Sequence, residues 1–93
     1  MTVGVLIIDI MIQSSASLKE KRQVLNKIKD KLKNKFNVSV AELDFMDKWQ
    51  RSEVGIAVIS NEYSHAEDSL QKIFRYLDEF DEFEITNYNF DYV

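Results

Sequence analysis

The chain has 93 residues, 45% of them hydrophobic, with no Cys, no Pro and two Gly; this suits a single domain over residues 1–93 and excludes disulfides, thiol catalysis and Cys-based zinc sites. Its apolar residues recur periodically with no long polar or Pro/Gly/Ser tract between them, which excludes a disordered chain. The formal net charge of −4 hides an asymmetry: residues 19–35 hold eight of the twelve Lys and Arg against only Glu20 and Asp30, a local +6 beside −10 elsewhere, so one face of an acidic protein can meet phosphate or another acidic surface.

Val3 to Ile12 is a β-branched, nearly continuous apolar run with Asp9 as its one anomaly, which predicts a central strand. It is too short to span a bilayer. It also lacks the basic flank and small-residue cleavage site of a signal segment, so a soluble cytoplasmic protein is expected. Ser17 and Glu20 form a capping box opening a helix, and Leu18, Leu25, Ile28, Leu32 and Phe36 form its apolar stripe as far as about Lys35. Asn37 is the expected left-handed stop. Val38 to Phe45 and Arg51 to Ser60 read as two strands of a hairpin, with Asp47 to Gln50 as the turn. Asn61 or Ser64 is expected to cap a second helix along Ala66, Leu70, Ile73, Phe74 and Leu77, ending near Phe80. Phe83 to Tyr92 supplies a fourth strand.

The order βαββαβ predicts an α+β fold, the ferredoxin-like sandwich of a four-stranded antiparallel sheet with both helices on one face. Strand alternation then turns Leu6, Ile8, Ile10 and Ile12, with Val54, Ile56 and Val58, toward the helices. Val5, Ile7, Asp9 and Met11 look to the open face, where Arg51, Glu53, Glu42, Asp44, Val38, Val40, Tyr88 and Phe90 are expected to join them.

Four stretches carry a resemblance: Ser17-Leu18-Lys19-Glu20-Lys21-Arg22, Phe36-Asn37-Val38-Ser39-Val40-Ala41-Glu42, Asp47-Lys48-Trp49-Gln50-Arg51, and Ser60-Asn61. Their order along the whole chain resembles the DUF503 family, also called the YlxP-like proteins. The resemblance implies a small ferredoxin-like domain of unassigned biochemistry, whose bacterial members tend to be encoded near translation initiation and ribosome maturation factors. The family usually has Pro and Gly just before the first stretch, where this chain has Gln13 and Ser14.

The cations of the first helix fall on two flanks of its apolar stripe, Arg22, Lys29 and Lys33 on one and Lys27, Lys31 and Lys35 on the other. Like charges stacked at i,i+4 cost a few tenths of a kcal/mol per pair. Either they form a solvated face that suits the helix C-terminal dipole, or phosphate or an acidic partner neutralises them. Trp49 in the hairpin turn either folds back on the core or stands out to stack on a base. Arg51 either clamps a phosphate or neutralises Asp9, Asp44 or Glu42, the ion pair being the expected role, and a cation beside Asp9 would make that acid structural. Glu42, Asp44 and Asp47 lack a calcium-loop pattern, so no metal is expected. His65 beside Ser64 cannot form a nucleophile–base pair, because helical neighbours in sequence do not face each other. The acids Asp78, Glu79, Asp81, Glu82 and Glu84 are either a solvated connection or the complement of the basic helix in self-association.

The expectation is therefore a non-enzymatic module without cofactors that docks on RNA or the ribosome, with Lys19, Arg22, Lys29, Lys33, Trp49, Gln50 and Arg51 as contacts. The alternative is a homodimeric protein–protein interaction module paired through the open sheet face.

Overall fold

The computed structural model describes all 93 residues in the order β1 (Thr2–Met11), α1 (Leu18–Lys35), β2 (Ser39–Asp44), β3 (Arg51–Ser60), α2 (Tyr63–Asp78) and β4 (Glu84–Tyr92). All pairings are antiparallel and the sheet order is β2-β3-β1-β4, the βαββαβ topology of the ferredoxin-like α+β fold. One core of fifteen buried residues joins Leu25, Ile28 and Leu32 of α1 and Ala66, Leu70, Ile73 and Leu77 of α2 to the inward residues of β1 and β3, so both helices cover the same face. Gly4 lies on that face because a Cβ there would come within 2.9 Å of Leu70 Cδ1. No helix is long and apolar enough to cross a membrane.

The helix ends follow local chemistry. Ser17 Oγ accepts from the Glu20 amide at 3.1 Å, and the Glu20 carboxylate accepts from Ala16 N–H at 2.6 Å, so the capping box closes one residue upstream of its usual reciprocal bond. With Gln13 and Ser14 in the preceding loop, Ser15 N–H donates to Ile12 O at 3.1 Å and Ser15 Oγ to Ser17 O at 3.0 Å. At the other end Asn37 is not a left-handed stop. The chain leaves α1 through an extended Phe36, whose N–H still reaches Leu32 O at 2.7 Å and whose ring packs edge-on against Tyr76. Neither Asn61 nor Ser64 caps α2: Glu62 holds the cap position without a side-chain bond, while Ser60 Oγ accepts its N–H at 3.2 Å.

The register corrects the two faces of the sheet. Directly opposed residues of an antiparallel pair share a face, and a phase error of one residue reverses a whole strand. Val40 lies opposite Ile56 and Glu42 opposite Val54, while Tyr88 lies opposite Ile8 and Phe90 opposite Leu6, so all four belong to the helix side. Val38, Val40 and Phe90 pack against the core, and Tyr88 and Phe90 both meet the ring of Phe74. The open face carries the cross-strand rows Ile59–Val3, Ser39–Ala57–Val5–Asp91, Ala41–Gly55–Ile7–Asn89, Asp44–Glu53–Asp9–Asn87 and Arg51–Met11–Glu84.

Glu42 is turned inward because a cation awaits it. Lys21 lies in the α1 stripe four residues before Leu25 and is 1% exposed. Its Nζ donates to Glu42 Oε2 at 2.9 Å and to the carbonyls of Phe45 at 2.8 Å and Arg51 at 3.2 Å, with Met46 O at 3.4 Å. Ser52 Oγ donates to the same Glu42 oxygen at 2.6 Å. A buried ammonium is tolerable only with such partners, and here they come from both arms and the turn of the β2–β3 hairpin. Phe45 needs that support: its φ of 64° is left-handed, a conformation costing a bulky residue about 1–3 kcal/mol. Lys21→Met should destabilise the protein by about 3–5 kcal/mol in denaturant unfolding, by orphaning Glu42 and the turn carbonyls. Adding Glu42→Gln should cost less than the sum of the two single effects, since no unpaired charge remains; strict additivity would refute the coupling.

Candidate nucleic-acid interface

The eight cations of α1 divide according to what surrounds them. Lys21 is buried in the hairpin clamp. Lys27 forms an ion pair with Glu82, which holds that carboxyl below the ordinary glutamate range and ties α1 to the acidic segment before β4. Lys31 lies over the Phe80 ring at 5.6 Å and Lys35 over Tyr76 at 4.5 Å. The flank of Lys27, Lys31 and Lys35 is thus engaged with α2 and the segment that follows it. Lys19, Arg22, Lys29 and Lys33 make no ion pair with any carboxylate. They recur at spacings of three, seven and four, so they form one ridge about 21 Å long on the opposite side of the helix; Lys29 is half-buried and the others are exposed.

The hairpin turn lies at the N-terminal end of that ridge because Lys21, between Lys19 and Arg22 in the chain, holds its carbonyls. Further ties reach the β1–α1 loop: Ile12 N–H donates to Gln50 O at 2.7 Å, and Gln50 Nε2 donates to Gln13 O at 3.0 Å and Ser15 O at 3.3 Å. Gln50 is therefore a strut rather than a free contact. Trp49 does not cap the core; it is 57% exposed and has no aromatic neighbour. Arg51 forms no ion pair with Asp9, Asp44 or Glu42, correcting that expectation: its guanidinium stacks on Phe45 with 4.0 Å to the ring centroid, while Glu42 belongs to Lys21.

Asp9 therefore has no cation. Its register neighbours are Glu53 and Asn87, Glu53 also faces Asp44, and no donor reaches the buried Asp9 Oδ1. The carboxyl of Glu53 is raised above the ordinary glutamate range, by desolvation first and then by Asp9 and Asp44. Protonated Glu53 is a donor that Asp9 can use. His65 is exposed, with only Glu62 nearby at 3.9 Å.

The raised Glu53 carboxyl makes the stability of the fold depend on pH. The folded chain holds this proton more tightly than the unfolded chain, so stability falls as pH rises from the ordinary glutamate value through the raised one. Glu53→Gln should raise the thermal midpoint at neutral pH, and the gain should shrink toward zero as the pH falls below that window. A gain that persists unchanged in acid would contradict the repulsive row.

Residues 3–90 match the model of the family described as "Protein of unknown function (DUF503)". The chain is 43% identical over 76 residues to the "Uncharacterized protein YlxP" of Bacillus subtilis (strain 168), an overlap of 82% of this chain and 83% of that protein. Together with the βαββαβ fold these matches leave no ambiguity of family: the chain belongs to DUF503.

Proposed function

We propose that this protein docks on RNA, free or in the ribosome, through the α1 ridge, as a binding module rather than an enzyme. The observation that carries the reading is the division of the α1 cations: one flank is ion-paired or set against aromatic rings within the chain, while Lys19, Arg22, Lys29 and Lys33 stand in a row without an ion pair. Phosphate oxygens spaced along a backbone are suited to such a row, and each phosphate neutralised releases counterions. The open sheet face is an unsuitable platform, since its central rows carry Asp9, Glu53 and Asp44 and no aromatic residue. Cytoplasmic residence is part of the same reading.

A second reading has its own support. Val3, Val5, Ile7, Ala57 and Ile59 leave a half-exposed apolar lane on the open face, which a second copy could cover. Light scattering at high micromolar concentration decides it: a species at twice the 10.9 kDa chain mass supports pairing, and the chain mass itself removes it.

Matched double substitutions on the one helix test the first reading. Lys29→Gln with Lys33→Gln and Lys31→Gln with Lys35→Gln remove the same charge from opposite flanks. The first pair should weaken RNA or ribosome binding and reduce the log–log salt slope by about 0.7–0.9 for each phosphate no longer neutralised. The second pair should leave the slope close to that of the wild type. Equal effects would reduce the ridge to bulk charge, and wild-type protein that ignores RNA and ribosomes at low salt would end the reading.

A further inference from the structure

We propose that the cleft beside Trp49 takes one unstacked base of a single-stranded RNA, with the adjoining phosphate held by Lys48 and Arg51; this rests on the RNA-docking reading and deepens it. The cleft is an open one of about 430 Å³ lined by Met11, Asp47, Lys48, Trp49, Gln50 and Arg51, within the range of small-ligand pockets. Its two hydrophobic lining residues are Met11 and the exposed Trp49, whose indole the fold itself leaves unused. A base offers a flat π-face to match it.

The charged residues of the cleft narrow the ligand. Neither Lys48 nor Arg51 makes an ion pair with a carboxylate. Arg51 uses only the face of its guanidinium on Phe45, so its in-plane N–H donors stay free for a phosphate. Asp47 in the same lining disfavours a bare anion but can accept a hydrogen bond from the exocyclic amino group of a base. An aromatic group with an amino donor on one side and a phosphate on the other fits all three.

The cleft is pre-formed. The Lys21 ammonium, the Gln50 amide and the Ile12–Gln50 backbone bond each hold the turn from a different direction, so little ordering accompanies binding. The same attachments place the cleft at the Lys19–Arg22 end of the ridge, where a strand leaving the cleft can continue along α1. A base within a duplex is already stacked on both faces, so the site selects single strands.

Trp49 is the only Trp in the chain, so its fluorescence reports on this cleft alone. The full chain is titrated with oligocytidylate RNA of about ten nucleotides and with a duplex RNA of the same length. The single strand should quench Trp49 and the duplex should not. Trp49→Ala should lower single-strand affinity about tenfold while leaving the salt slope unchanged, because a stacked base neutralises no phosphate; Trp49→Phe should restore most of the affinity. Binding with a ridge-dependent salt slope but no change in Trp49 emission, or equal quenching by duplex, overturns the base site and leaves the docking reading standing. No binding of either RNA overturns the base site, and the docking reading falls with it when ribosomes are ignored at low salt as well.

Discussion

The structure depends on one buried cation. Lys21 enters the protein interior from a helix position that would ordinarily hold a Leu, and its desolvation is offset by a carboxylate and by carbonyls from the facing hairpin. That arrangement does more than satisfy a charge. It joins the first turn of α1, the inward edge of β2, the start of β3 and the turn between them, and it stabilises the left-handed Phe45 on which Arg51 is stacked. An apolar side chain in the same place would fill space but could not specify which carbonyls the hairpin presents.

From that joint the surface chemistry follows. The like-charge crowding of α1, costly on an isolated helix, is relieved unevenly: Glu82 and the rings of Phe80 and Tyr76 take up the flank facing α2, and the other flank has no equivalent. The opposite side of the sheet shows the converse, with Asp9, Glu53 and Asp44 in one row and no cation. The outer flank of α1 and the Asp44–Glu53–Asp9 row of the open sheet thus carry opposite charges.

The element order, the strand β1, the span of α1 and its Ser17 cap are legible in the sequence because each rests on local periodicity or capping chemistry. The faces of β2 and β4 are not. Both are edge strands of mixed polarity, and their phase is set by the register against β3 and β1, which no single strand encodes. Local alternation therefore puts Glu42 and Tyr88 on the wrong side, and a misplaced Glu42 gives Arg51 an acid to neutralise. Lys21 itself leaves a signal: it stands at the i, i+4, i+7 and i+11 spacing of Lys21, Leu25, Ile28 and Leu32, a Lys inside an apolar stripe. Among the candidate site residues, the ridge is readable from the helical wheel, whereas the contacts of Lys27, Lys31 and Lys35 depend on what α2 and the segment after it place beside them. Gln50 reads as a contact because nothing local reveals that its amide bridges back to the loop after β1.

Amide and side-chain NMR shifts mapped during titration with single-stranded RNA show which face of the protein meets the RNA, since they report every face of the molecule at once. Perturbation is expected along Lys19, Arg22, Lys29 and Lys33 together with Lys48, Trp49 and Arg51, with the open-face row of Asp9, Glu53 and Asp44 and the Lys31–Lys35 flank unmoved. Shifts confined to the open sheet face or to the α2-facing flank, or no shifts at all, would contradict the docking reading.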